Sequence, residues 1–141
     1  MQHVNVYTVS GIRSPRPGNG MAGYILELKT EKGPVTFTKT AKILNATANQ
    51  AELKNLIAAL RSLVVKCSLT IYTESGYVAA GLAELPRWRR NGWKTSRGTD
   101  VANKDEWREL AEILNGQETE VLLAAEHEYR AWLKNEVTRK E

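Results

Sequence analysis

Apolar and polar residues alternate at the start of this chain and recur at three- and four-residue intervals further on, which predicts both strands and helices. The alternation from His3 to Val9 predicts a first strand. Residues 10–20 are rich in Gly, Pro, Ser and Arg, which is typical of a loop. Two more strands are expected over residues 21–29 and 34–39, joined by a turn at residues 31–33.

A helical spacing replaces the alternation in the next part of the chain. The apolar residues that share one face of this predicted helix are Leu53, Leu56, Ile57, Leu60, Leu63 and Val64. Either Thr47 or Asn49 can cap its first turn. A short apolar strand is then expected over residues 69–73, followed by a helix from Gly76 to Leu85 that stops at Pro86.

The last third of the chain predicts two helices around a fifth strand over residues 120–124. Asn103 and Glu106 have the spacing of a capping box at the start of the first of these helices, and Asn115-Gly116 would end it. The core faces of the two helices would be formed by Trp107, Leu110, Ala111 and Leu114 and by Tyr129, Trp132, Leu133 and Val137. We expect both tryptophans on these faces to be packing residues.

This order of elements predicts one α/β domain over residues 1–141, with a five-stranded mixed sheet flanked by helices. A chain of 141 residues, 42% hydrophobic and 26% charged, is long enough to bury a core. No apolar run reaches the roughly 20 residues of a membrane helix, so we expect no membrane partner. Cys67, the single cysteine, excludes an internal disulfide, and we expect a reducing, cytoplasmic setting.

Positive charge is concentrated in residues 86–104, which we call the basic segment. This segment carries six Lys or Arg side chains and one Asp, whereas the formal net charge of the whole chain is +4. Residues 105–141 are acidic instead, with ten Asp or Glu and five Lys or Arg side chains. Cationic side chains beside Trp88 and Trp93 suit a phosphate backbone and favour nucleic acid as a partner. A solvated basic loop is the alternative interpretation.

Two motifs in the chain resemble those of the ribonuclease HI family. Residues 73–78 read Thr-Glu-Ser-Gly-Tyr-Val, close to the family's Thr-Asp-Ser-x-Tyr-Val, and residues 47–53 read Thr-Ala-Asn-Gln-Ala-Glu-Leu, close to Thr-Asn-Asn-x-x-Glu-Leu. The first strand, the Gly/Pro-rich loop after it and residues 22–24 also resemble the family. The resemblance implies a ribonuclease H-like fold and an enzyme that hydrolyses the RNA strand of RNA/DNA hybrids.

The resemblance also implies four carboxylates around Mg²⁺ or Mn²⁺ ions, of which this sequence supplies two. Glu52 and Glu74 stand at the second and third positions and would be the remaining catalytic and metal-binding residues. Val9 stands at the first position, where the family's aspartate bridges both ions. Ala131 is the best match to the fourth position, with an acid in residues 126–128 as the alternative.

These replacements predict weak or absent metal-dependent cleavage. Valine offers no lone pair, and Thr8 and Ser10 cannot replace the acid because strand alternation sends their side chains to the opposite face of the sheet. The longer side chain of Glu74 shifts its oxygens by more than the roughly 0.5 Å that a catalytic site tolerates. Without the resemblance, Glu52 would be interpreted as a first-turn carboxylate that interacts with the helix dipole, and Glu74 as a helix cap.

The nucleic-acid-binding residues implied by the resemblance are better retained. Thr47 and Asn49 match polar groups that contact the nucleic-acid backbone in the family, and the basic segment resembles the family's basic protrusion. The candidates in that segment are Arg87, Trp88, Arg89, Arg90, Trp93 and Lys94. The cations would contact phosphates, and an exposed indole would pack against a sugar or base. One of the two tryptophans could instead anchor the segment in the core.

Three hypotheses follow from the sequence. The leading one is a ribonuclease H-like domain that binds RNA/DNA hybrid or other duplex nucleic acid with little or no nuclease activity. The second is an active, divergent ribonuclease H that uses Glu52, Glu74 and an acid from residues 126–128 with Mg²⁺ or Mn²⁺. The third is a protein-interaction module that has kept only the fold, which the acidic end of the chain favours.

Overall fold

A five-stranded mixed sheet forms the centre of the computed structural model, which describes residues 2–64, 66–124 and 126–140. The strands are β1 (His3–Ser10), β2 (Gly18–Thr30), β3 (Gly33–Ala46), β4 (Ser68–Thr73) and β5 (Thr119–Leu123). The helices are α1 (Ala48–Arg61), α2 (Gly76–Asn91), α3 (Lys104–Leu114) and α4 (Arg130–Arg139). The strand order is β3-β2-β1-β4-β5, with β1 antiparallel to β2 and parallel to β4. The predicted α/β fold with a five-stranded mixed sheet is confirmed.

The two faces of the sheet carry cores of unequal size. On one face, Val4 and Val6 of β1 join a main core that includes the buried sides of α1, α2 and α3. On the other face, Tyr7 and Val9 pack against α4 in a second cluster, the small core, which also contains Ile25, Leu133 and Val137. The alternation of β1 produces this division because successive side chains of a strand point to opposite faces. No helix among the described residues is both long and apolar enough to cross a lipid bilayer.

The third strand is longer than predicted. It runs from Gly33 to Ala46 and pairs with β2 over most of that length, instead of ending at residue 39. It lies at the edge of the sheet, and most of its side chains are exposed or half-buried. An edge strand with little apolar alternation carries only a weak strand pattern in its sequence, which is why its second half was missed.

The prediction that the second helix stops at Pro86 is wrong, because α2 continues to Asn91. The proline is exposed, while Leu82, Leu85 and Trp88 continue to pack against the main core. This packing outweighs the single backbone hydrogen bond that proline removes. The helix ends instead at Gly92, whose φ of 77° is the left-handed conformation that glycine adopts without strain.

The predicted capping box at Asn103 and Glu106 is also wrong. Asn103 has a φ of 57° and makes no side-chain cap. Its amide Nδ2 donates to the hydroxyl of Tyr77 at 2.9 Å, and the indole nitrogen of Trp107 donates to the same hydroxyl at 3.1 Å. The side chain of Asn103 is therefore bonded to Tyr77 and does not cap α3.

The two predicted packing tryptophans differ in burial. Trp107 is fully buried, as expected, and its predicted neighbours Leu110 and Ala111 are also in the core. Trp132 is 48% exposed, so its predicted packing role is wrong. Leu133 and Val137 are sufficient to attach α4 to the sheet, and Trp132 lies beside them on the solvent side of this short helix.

Candidate functional site

The candidate site lies at one edge of the sheet, where β1 and β4 end and two helices begin. Glu74 follows the last residue of β4, Glu52 lies in the first turns of α1, and Arg130 is the first residue of α4. In the parallel register of β1 and β4, Tyr7 is opposite Tyr72, so the end of β1 that carries Val9 lies beside the end of β4 that leads into Glu74. The fold therefore brings together the residues that the sequence assigned to the first, second and third acid positions.

An arginine occupies the acidic part of this site. The Nε of Arg130 donates to Oε1 of Glu74 at 2.5 Å, and its Nη1 lies 3.5 Å from Oε1 of Glu126. The side chains of Arg130 and Glu74 are 24% and 28% exposed, whereas that of Glu126 is 84% exposed. The hydrogen bond to Glu74 raises the pKa of Arg130 above its ordinary value. Arg130 thus forms a partly buried ion pair with the third-position carboxylate.

The predicted match to the fourth acid position, Ala131, lies directly after this arginine. Ala131, the predicted match, is exposed, and the side chain that reaches Glu74 comes from the preceding residue, Arg130. Glu126 contacts the same arginine from the solvent side, and Glu128 is exposed. Sequence reasoning missed Arg130 because the search at this position was for a carboxylate.

A buried hydrogen-bond network fixes the position of Arg130. The carboxylate of Glu27, which is 1% exposed, accepts hydrogen bonds from the hydroxyl of Tyr129 and from Nδ2 of Asn5, the latter at 2.9 Å. The hydroxyl of Tyr7 lies 3.4 Å from the same carboxylate. The hydrogen bond to Glu27 raises the pKa of Tyr129 to about 12, and the hydrogen bonds that Glu27 accepts keep its own pKa below the ordinary value despite its burial.

Glu52 is a half-buried carboxylate near the start of α1. Burial raises its pKa from an ordinary 4.5 to about 7, and the negative charge of Glu74 adds to the shift. The positive charge of Arg13 acts in the opposite direction. The electrostatic effect of Glu74 indicates that the two carboxylates are near enough to interact.

Val9 contributes no polar group to the site. It is 3% exposed and lies in the small core with Leu133 and Val137 of α4. Thr8 and Ser10 are buried, and the hydroxyl of Ser10 accepts a hydrogen bond from the backbone of Ile12 at 3.1 Å. Both flanking hydroxyls lie on the opposite face of β1 from Val9, as the alternation predicted.

The start of α1 is capped by Thr47. Its hydroxyl accepts a hydrogen bond from the backbone of Gln50 at 3.1 Å, and the side chain of Gln50 accepts one from the backbone of Thr47 at 3.0 Å. Of the two predicted caps, Thr47 is therefore the correct one, and Asn49 is exposed beside it. The interpretation of Glu74 as a cap is wrong, because Ser75 caps α2 through the backbone of Val78.

The loop between β1 and β2 adds two exposed cations that sequence reasoning did not single out, Arg13 and Arg16. The backbone N–H of Ala48 donates to the carbonyl of Ser14 at 2.8 Å, which joins this loop to the start of α1. Within the described chain, neither arginine side chain makes a hydrogen bond or an ion pair. Their only sequence signal was the arginine content of a Gly/Pro-rich loop.

The basic segment folds as the end of α2 and the loop after it, and several of its cations are engaged within the chain. Arg87 pairs with Glu84 and Lys94 with Asp100, each at 2.6 Å. Arg89 donates to the carbonyl of Ala111 at 2.8 Å and to Oδ1 of Asn115 at 3.2 Å. Arg90 and Arg97 are exposed, and their side chains have no hydrogen bond or ion pair with the described residues.

Both tryptophans of the basic segment anchor it in the protein. Trp88 and Trp93 are half-buried and pack against the main core. Their ring centroids are 6.3 Å apart, and that of Trp88 is 5.5 Å from the ring of Trp107. The alternative of a tryptophan that anchors the segment in the core therefore applies to both residues, each of which remains partly exposed. Both tryptophans take part in aromatic packing, and the exposed side chains of the segment include several cations.

Comparison with known proteins identifies the family. The RNase H family model matches residues 1–129. Ribonuclease H of Cupriavidus pinatubonensis is 39% identical over 111 residues, which cover 78% of this chain and 73% of that protein. Ribonuclease H of Caldicellulosiruptor saccharolyticus is 36% identical over 116 residues, which cover 81% of this chain and 77% of that protein. The chain belongs to the ribonuclease H family.

Solved structures support the same fold. LC9-RNase H1, described as a type 1 RNase H with the type 2 active-site motif, superposes with a TM-score of 0.78 at 22% identity, covering 99% of this chain and 72% of that one. LC11-RNase H1, solved in complex with RNA/DNA hybrid, superposes with a TM-score of 0.63 at 21% identity, covering 96% of this chain and 94% of that one.

The divalent ions used by the family do not fit the residues at this site. A pair of such ions requires several oxygen ligands, including a shared one. The side chain of Val9 supplies no ligand atom, and one oxygen of Glu74 is bonded to Arg130. Over the described ranges, no three His, Cys, Asp or Glu side chains are grouped to hold a metal ion.

Proposed function

We propose that this ribonuclease H-family domain binds RNA/DNA hybrid or other duplex nucleic acid and has little or no nuclease activity. The observation that carries the proposal is the ion pair between Arg130 and Glu74 beside the aliphatic Val9. A guanidinium that pairs with one of the two retained carboxylates and an aliphatic side chain at the first acid position of the resemblance both disfavour two-metal hydrolysis. Exposed groups that can bind a phosphate backbone support the binding part of the proposal.

Exposed cations supply the binding energy in this proposal. Arg13, Arg16, Arg90 and Arg97 have exposed side chains that are free of internal hydrogen bonds to the described residues, and Asn49 is exposed at the start of α1. Contacts of this kind act on the backbone and not on base edges, so we expect little sequence preference. Four phosphate contacts on a duplex would lower the affinity about 100-fold between 50 and 200 mM salt.

Fluorescence anisotropy with a labelled RNA/DNA hybrid tests the binding, beside duplex DNA and duplex RNA of the same sequence. We expect binding of the hybrid at low salt that weakens steeply as salt is added. The double variant Arg90→Gln/Arg97→Gln should have a shallower salt dependence by roughly two contacts. The control is Arg61→Gln, which removes an exposed arginine paired with Glu109 at the other end of α1. Folded protein that does not bind at low salt would refute the proposal.

A cleavage assay on the same hybrid tests the second part of the proposal. We expect no cleavage with Mg²⁺ or Mn²⁺. The electrostatic coupling of Glu52 to Glu74 is the observation that favours the active alternative, since two carboxylates in one site can still attract a cation. Cleavage that disappears in Glu74→Gln would establish that alternative and would overturn the proposed lack of activity.

A further inference from the structure

The guanidinium of Arg130 is a fixed positive charge at a site where the family uses dissociable cations. We infer that Arg130 binds a phosphate of the bound nucleic acid and that this contact makes binding independent of divalent ions. The inference rests on the proposed function, because it names a contact within the same interface. It concerns a residue of this chain that is bonded to one of the two retained carboxylates.

The geometry leaves donors of Arg130 available. A guanidinium carries five N–H donors in a planar fork. The Nε of Arg130 is used by Glu74, and Nη1 is 3.5 Å from the exposed Glu126, while Nη2 has no hydrogen bond to the described residues. The side chain is 24% exposed, so part of it is open to solvent. A phosphate oxygen can therefore accept from a free N–H of the guanidinium while Glu74 keeps its hydrogen bond.

The position of this fork is set before any ligand arrives. Tyr129, the preceding residue, is bonded to the buried Glu27, and the backbone of Leu133 donates to the carbonyl of Tyr129 at 2.9 Å. Leu133 itself is fully buried in the small core. Glu74 then holds the guanidinium from the sheet side. Because the guanidinium of Arg130 is already held in one place, it loses little side-chain entropy when a phosphate binds.

The local charge also permits a phosphate to approach without a metal ion. Two unneutralised carboxylates would repel a phosphodiester. Arg130 neutralises Glu74, and the positive charge of Arg13 acts on Glu52. A divalent ion at Glu74 would have to compete with Arg130 for the same oxygen. The arginine and a bound metal are therefore alternatives at this position.

Anisotropy titrations with the labelled hybrid, in EDTA and in Mg²⁺ at matched ionic strength, test the inference. For the wild type we expect dissociation constants within about 2-fold of each other. Arg130→Gln should weaken binding about 10-fold and reduce the salt slope by about 0.9, the value of one lost phosphate contact. Arg139→Gln is the matched control, since Arg139 lies on the same helix and is also ion-paired, with Glu136; it should leave both quantities unchanged.

Two further variants separate phosphate contact from charge neutralisation. Arg130→Lys preserves the charge and should retain the salt slope, although a lysine lacks the planar fork and binds more weakly. In the double variant Glu74→Gln/Arg130→Gln, both charges are gone. Affinity that stays about 10-fold below wild type supports a phosphate contact, whereas affinity that returns to the wild-type value shows that Arg130 only neutralises Glu74.

The outcomes distinguish failure of the inference from failure of the proposed function. If the folded wild type does not bind hybrid at low salt, the proposed function is wrong and the inference falls with it. If the wild type binds but folded Arg130→Gln binds equally well, the inference is wrong and the proposed function stands. Binding that improves 10-fold or more with Mg²⁺ would overturn the claim of independence from divalent ions.

Discussion

The hydroxyl of Tyr129 donates to the carboxylate of Glu27, a buried residue 102 positions earlier in the chain. This hydrogen bond joins the residue before α4 to the centre of the sheet. Because Arg130 follows directly, the same bond determines where its guanidinium meets Glu74. The loss of this bond should therefore affect both the stability of the domain and the geometry of the candidate site.

Tyr129→Phe should lower the free energy of unfolding by about 1–2 kcal/mol at neutral pH, because it leaves a buried carboxylate without one of its donors. Urea denaturation measures this change. Tyr24→Phe is the comparison, since it removes a neutral hydrogen bond of 2.7 Å to Ser62 and should cost less. Equal losses of unfolding free energy in the two variants would contradict a stronger hydrogen bond to the charged carboxylate of Glu27.

The same tyrosine predicts an alkaline pH dependence. The pKa of Tyr129 in the fold is about 12, above its ordinary value of 10, so its contribution to stability is complete below pH 10 and is lost as the pH rises towards 12. In a spectrophotometric titration of the phenols, Tyr129→Phe should lack one ionisation near pH 12. A missing ionisation near pH 10 would refute the raised pKa.

Glu52→Gln should stabilise the protein only at higher pH. Because the pKa of Glu52 is raised from 4.5 to about 7 by folding, the wild type loses stability as the pH rises through this window and does not regain it above pH 7. The variant should therefore match the wild type near pH 4 and exceed it at pH 8, by on the order of 2 kcal/mol. Urea denaturation at the two pH values tests this. Glu112→Gln, at an exposed position, is the control.

Gly81→Ala should be strongly destabilising. A Cβ at this position would lie 2.2 Å from two ring atoms of Trp107, which is fully buried. We expect a loss of about 3 kcal/mol and a changed near-UV circular dichroism of the tryptophans. Gly76→Ala, in the first turn of the same helix, meets nothing within 4 Å and should be neutral or slightly stabilising. Similar effects for the two would show that Trp107 moves freely.

Pro86→Ala should stabilise α2. The proline is exposed in the interior of a helix that continues to Asn91, and alanine restores the missing backbone N–H there. We expect an increase in unfolding free energy of about 1–3 kcal/mol, measured by urea denaturation. An unchanged or lower stability would mean that the ring makes packing contacts of equal value.

Local patterns predicted the elements whose signals lie close together in the sequence. The alternation of β1 separated the two faces correctly, and Thr47 was available as a cap because a cap and its partner are only three residues apart. The end of α2 was not predictable in this way. Whether a helix passes a proline depends on what packs beyond it, and the core contacts of Trp88 come from distant parts of the chain.

The same difference between local signals and contacts between distant residues applies to the candidate site. The motifs around Glu52 and Glu74 located the retained carboxylates, which the fold brings into electrostatic contact. The pairing of Glu74 with Arg130 joins residues 56 positions apart, and the short C-terminal region carried too weak a resemblance to align. The packing of both Trp88 and Trp93 against the core also could not be predicted from the sequence. An indole next to arginines has the same sequence pattern whether it faces solvent or the core.

The packing of Val9 against Leu133 and Val137 has a consequence for introducing an acid at this position. A substitution to aspartate would place a carboxylate among aliphatic groups at a position that is 3% exposed, at a cost of several kcal/mol. Thermal melting of Val9→Asp would show this cost as a lowered transition. Any replacement of Val9 by an acid would therefore have to be accompanied by repacking of α4, because Leu133 and Val137 offer a carboxylate no polar partner.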